Sequence, residues 1–189
     1  EVKKLLQVPM LNGDKVLLRL QSIWMLYGLS ATKIEINCFF DNGSTCSLIL
    51  TAVAEKYGLL GYDVRVTITT VHGDETRETK LYVVELLDVG GKRKVIRALG
   101  MDKISSAIPV VELLGVKHYF SKEIQEKWTE VTKRPEGEIE MLIGSEVASI
   151  HPIRKESVEN LIISTSVFGN GWSVHGHHAE VKGDGAIFS

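Results

Sequence analysis

The 189-residue chain has too few cysteines to be a disulfide-built scaffold, because only Cys38 and Cys46 are present. The two flank one short motif, and a disulfide across it is the lesser expectation. Charge of one sign is also missing. Twenty-two basic residues face 24 acidic ones, for a net charge of −2. That balance argues against nucleic acid or an anionic membrane as the main partner. No apolar run approaches the roughly 18 residues that a membrane-spanning helix needs. The opening Glu1-Val2-Lys3-Lys4 lacks the pattern of a signal peptide. With no initiator methionine, the chain reads as a piece of a longer polypeptide, and an intracellular, cytoplasmic location is expected. Prolines are few, four against 17 glycines, a balance that suits short strands joined by turns. Hydrophobic residues make up 44% of the chain, too many for disorder. The length allows one core, or one domain carrying a large insertion.

The patterning is mainly β. Residues 2–8 and 16–20 read as strands joined by the turn Asn12-Gly13-Asp14, and residues 22–27 continue the second strand after a bend. In residues 34–40, Ile34, Ile36, Cys38 and Phe40 share one face; Asp41 falls on the other, with Asn37 and Phe39. Thr51 is placed to cap a short helix over 52–57 that Gly58 stops. Alternation returns from Val64, giving a long hairpin with a polar tip at His72-Gly73-Asp74-Glu75. A turn at 88–92 and a strand over 94–99 follow. Residues 101–137 change character. Ser121 is placed to cap a helix to about Val131, with Ile124, Trp128 and Val131 at helical spacing and Glu123 four residues before Lys127. The segment reads as an insertion on the β core, with Trp128 in its packing. Residues 139–143 and 161–167 read as strands, and residues 177–189 as a polar tail. His175, His177 and His178 fit a surface tail better than a metal site, because no Cys or acid stands at ligand spacing.

One stretch organises the rest: Phe39-Phe40-Asp41-Asn42-Gly43-Ser44-Thr45. An apolar strand ends in a carboxylate, a glycine follows two residues on, and two hydroxyls come next. Asn-Gly between apolar runs is also the strongest short signal for a type I′ hairpin. A plain β-rich domain with an ordinary hairpin is therefore one reading. The other is an acid presented on a tight turn, where glycine lets backbone amides approach it.

Three stretches in order carry a resemblance over about residues 30–176. Phe40-Asp41-Asn42-Gly43-Ser44-Thr45-Cys46-Ser47-Leu48-Ile49 resembles the catalytic loop of retropepsin-like aspartic peptidases. Met141-Leu142-Ile143-Gly144-Ser145-Glu146 resembles their second signature. Phe168-Gly169 and Trp172-Ser173-Val174-His175-Gly176 resemble the tail of the Pao/BEL retrotransposon type. The resemblance implies a retropepsin-like acid protease fold, one lobe per chain, with short helices and the inserted segment. It implies an aspartic endopeptidase acting as a homodimer on a peptide or polyprotein substrate, with Asp41 catalytic and no metal or cofactor. Asn42, Gly43 and Ser44 would support the catalytic loop, with the Ser44 hydroxyl near the outer carboxylate oxygen. Leu142, Ile143 and Gly144 would brace the loop from behind. The hairpin at His72, Gly73 and Asp74 would be the flap over substrate. Asn42 departs from the family, which has Ser or Thr there. That departure supports the alternative, a catalytically inactive peptidase-fold domain serving in dimerisation or peptide binding.

Overall fold

The computed structural model describes residues 16–70, 73–105 and 107–183. The expected strand at 2–8, its turn at 12–14, and His72 lie outside the described residues. Thirteen strands are present among the described residues: β1 (Val16–Leu17), β2 (Leu20–Tyr27), β3 (Thr32–Phe40), β4 (Ser47–Leu50), β5 (Gly61–Thr70), β6 (Gly73–Leu87), β7 (Arg93–Met101), β8 (Val111–Glu112), β9 (Met141–Ile143), β10 (Ile153–Val158), β11 (Asn160–Thr165), β12 (Trp172–His177) and β13 (Lys182–Gly183). The helices are short: α1 (Thr51–Lys56), α2 (Lys122–Glu126) and α3 (Trp128–Val131). Among the described residues no helix is long and apolar enough to cross a membrane.

Seven strands form one sheet in the order β2-β3-β9-β4-β7-β6-β5. A second pairing of β2 with β6, Trp24 opposite Leu87, closes six of them into a ring and leaves β5 outside. The ring encloses a core from alternate positions, including Ile23, Met25, Ile36, Phe40, Ile49, Val84, Leu86, Met141 and Ile143. A four-stranded sheet, β1-β12-β11-β10, lies beside it. The inserted segment packs on that sheet. Val116, Phe120, Ile124, Trp128 and Val131 meet Leu17, Leu161, Ile163, Trp172 and Val174 in a second core. Trp128 is buried there, as its spacing predicts.

Gln21 ties the two layers. Its amide nitrogen donates to the carbonyls of Trp172 (2.6 Å) and Phe168 (3.3 Å), and its oxygen accepts from Ser166 Oγ (2.6 Å). A buried amide with its partners in place joins the layers at one fixed position.

Several local expectations need correction. Thr51 is the first residue of α1 rather than its cap; Leu50 stands at the cap with no side-chain bond. Ser121 does cap α2, accepting from Ile124 N, but the helix breaks at Lys127 into α2 and α3. Glu123 pairs with Lys155 at 3.2 Å, across to β10, instead of with Lys127. The expected polar tail is folded as far as Gly183. His178 and Val181 are buried, and β13 pairs with β8, so contacts with the insertion hold it. Strand β10 was not expected at all.

Candidate active site

Asp41 follows β3 directly, and its backbone amide extends the ladder by donating to Ile143 O (3.0 Å). The stretch is not a hairpin. β3 and β4 do not pair with each other, because β9 lies between them. β9 runs parallel to β3 (Phe40 opposite Ile143) and antiparallel to β4 (Leu48 opposite Leu142). Neither Asn42 nor Gly43 has the positive φ that a type I′ turn requires. A strand delivered from about a hundred residues away overrides the local Asn-Gly signal.

The Asp41 carboxylate is half-buried, and its Oδ1 accepts from Gly43 N at 2.8 Å. A Cβ on Gly43 would stand 3.2 Å from that oxygen, tight enough to push the carboxylate aside. Glycine here thus permits a close amide–carboxylate contact, a charge-assisted bond of the stronger kind. The Ser44 hydroxyl does not reach Asp41; it donates to Cys46 O at 2.7 Å and folds the loop on itself. Asn42 is exposed, and its side chain bonds to no described residue.

Gly144 and its neighbours hold the loop from β9. Gly144 N donates to Ser47 Oγ (3.0 Å). Ser145 N and Oγ both donate to Ser44 O (2.8 Å each). The Glu146 carboxylate accepts from Ser47 N (2.7 Å). His151 Nε2 donates to Gly144 O (2.8 Å), and its ring meets Phe40 edge-on at 5.3 Å. Leu142 and Ile143, on β9, bring up this bracket as the strand between β3 and β4. Sequence reasoning missed Ser47, Ser145 and His151. Their signal was proximity to the two motifs, which carries no meaning until β9 is known to lie between β3 and β4. Cys38 is buried and Cys46 half-buried, both as free thiols, with burial the main cause raising the pKa of each.

Beside Asp41 runs an apolar row. Side chains opposite one another in a ladder share a face, so the register aligns Phe39, Leu142, Leu48, Leu99, Leu81 and Tyr62 across six strands. By alternation Asp41 belongs to the Phe39 face. Beyond Leu81 the β5–β6 hairpin leaves β7 and continues alone as a two-stranded arm. Val64, Val66 and Ile68 carry the row up the arm, half-buried. Its other face is polar, with Arg65 on Glu78 (2.7 Å), Thr67 on Thr76 (3.0 Å) and Thr69 on Asp74 (2.7 Å). Gly73 and Asp74 sit at the arm's end, exposed and away from Asp41's own contacts. A cavity of about 630 Å³ lies at the base of the arm between Thr51, Glu55, Asp63 and Asp102, not at Asp41.

Comparison with family models, with curated proteins and with solved structures returned no match.

Proposed function

We propose that the chain is one half of a homodimeric aspartic endopeptidase of the retropepsin-like, Pao/BEL type, processing a retroelement polyprotein. The observation that carries this reading is the position of Asp41. It sits on a loop split by β9 and bracketed by Gly144, Ser145 and Glu146, at the end of an apolar row that an arm extends. A hairpin turn has no need of that bracket.

The chemistry follows from pairing. One chain supplies one such carboxylate, so a two-fold dimer supplies two. Two carboxylates a few ångströms apart cannot both ionise, and they titrate as a pair sharing a proton. The ionised member takes a proton from water as the water attacks the peptide carbonyl; the protonated member hydrogen-bonds the carbonyl oxygen. Gly43 N holds one oxygen of Asp41 from within the chain. The other oxygen is left for substrate and partner. The apolar row and the inner face of the arm would receive large apolar side chains beside the scissile bond, with the arm excluding water as it closes.

Asn42 favours a second reading, a peptidase-fold module that dimerises or holds extended peptides without cutting them. Its side chain is exposed and unbonded where a hydroxyl would link two loops. The test is cleavage of the chain's precursor at mildly acidic pH, with Asp41→Asn and Asp41→Ala as controls and oligomeric state measured alongside. The peptidase reading expects a dimer whose cleavage disappears in both variants. A dimer that binds peptide but never cleaves supports the module. Cleavage that survives in Asp41→Ala rejects Asp41 as its source.

A further inference from the structure

Arg19, Arg134 and His175 meet where the two layers join, and among the described residues no carboxylate joins them. Arg19 lies just before β2, Arg134 just after α3, and His175 on β12. Arg19 Nη2 stands 3.0 Å from His175 Nε2. Arginine only donates, so His175 Nε2 is the acceptor and its hydrogen sits on Nδ1. Arg134 Nη1 donates to Val174 O (2.7 Å) and Leu18 O (3.0 Å), each the residue before one of the other two members. All three groups are half-buried or deeper, and burial pulls Arg134 down to about 10.

What remains is a surplus of donors. Arg19 Nε, Arg134 Nε and His175 Nδ1 are buried with no hydrogen-bond partner, and each carries an N–H. Neither arginine forms an ion pair with any described residue. Removing two guanidinium groups from water is costly unless an opposite charge compensates them. Donors of one sign, with acceptors lacking, describe the complement of an oxyanion. Arg134 also opens outward. It lines a cleft of about 210 Å³ with Lys133, Ser22, Asn170 and Trp172, where Glu35 is the one acid, and another of about 360 Å³ with Thr129 and Thr132, where Glu136 is the one acid.

The geometry points to a binding site for a small oxyanion, a carboxylate or a phosphate, at Arg19, Arg134 and His175, entered beside Arg134. An anion there ties β12, the segment before β2 and the end of the insertion together. Arg19 O also accepts from Phe40 N (2.9 Å), one residue from Asp41. The site stands whether or not the chain is a peptidase.

The test is thermal unfolding of the full chain titrated with inorganic phosphate or with succinate, ionic strength held constant with chloride. A saturable rise in midpoint is expected with at least one of the two, and which one identifies the anion chemistry. Arg19→Gln is expected to weaken apparent affinity at least tenfold, as is Arg134→Gln. Because Arg134 also holds two backbone carbonyls and its variant risks misfolding, Arg19→Gln carries the decision. Lys133→Gln, at the cleft rim only, is expected to change affinity by less than threefold. A flat midpoint with both anions, or the same rise in Arg19→Gln as in the natural chain, overturns the site.

Discussion

Replacing Gly144 by alanine adds one methyl group at the point where β9 holds the Asp41 loop. The backbone there is extended (φ −85°, ψ 178°), so alanine meets no conformational obstacle and the effect is purely steric. The new Cβ would stand 2.7 Å from the carbonyl carbon and oxygen of Cys46 and would also press on the Glu146 carboxylate. Glu146 can swing away, but only by giving up its bond to Ser47 N. Cys46 is backbone, and must retreat about 0.7 Å to reach ordinary contact at about 3.4 Å. Overpacking of this kind costs about 1–3 kcal/mol, and loss of a charge-assisted bond about 1.5–3 kcal/mol. The two share one displacement, so a total of about 2–3 kcal/mol is expected. Urea unfolding at fixed protein concentration measures it, with the slope unchanged. In the peptidase reading, a loop moved by nearly 1 Å loses about 10²-fold in rate. A Gly144→Ala chain within about 0.5 kcal/mol of the natural one would refute the bracket of Gly144, Ser145 and Glu146 on the loop.

Three further outcomes follow from the packing and charges. Gln21→Leu leaves the carbonyl of Trp172 and the hydroxyl of Ser166 without their buried partner, and should cost about 2–4 kcal/mol in denaturant unfolding. Trp128→Ala empties the centre of the second core and should cost about 3–5 kcal/mol, with exposed hydrophobic surface read by dye binding. Burial first, and then Arg19 and Arg134, depress His175 to about 4 from an ordinary 6.5. The unfolded chain therefore binds more protons than the folded one between those values. Stability should be full above about pH 6.5 and fall as pH drops towards 4, and His175→Gln should flatten that part of the profile.

Local chemistry was legible where residues near in sequence decide the structure. Alternation marked β3 and the long β5–β6 hairpin, and an apolar run at 22–27 marked most of β2. The turn at 88–92 is closed by Asp88 Oδ1 accepting from Gly90 N and Lys92 N, a bond its own sequence supplies. What stayed hidden came from distant partners. Asn42-Gly43 reads as a hairpin until Met141–Ile143 lies between β3 and β4. Strand β10 is solvent-facing, its alternation interrupted by an irregularity between Arg154 and Glu156, so no apolar pattern shows. Val181 is buried in the second core, next to residues 182–183 that pair with 111–112 in the insertion. Asp41 itself was legible; the serines and the histidine that hold its loop were not, since their partners lie across the fold.

A peptidase of this kind exists only if two copies of the chain bring their Asp41 side chains together. A crystal structure of the chain at mildly acidic pH measures that separation. A two-fold dimer with the carboxyl oxygens about 3 Å apart, sharing one proton, is the predicted result. A chain whose Asp41 faces open solvent, or lies far from any symmetry-related Asp41, contradicts it.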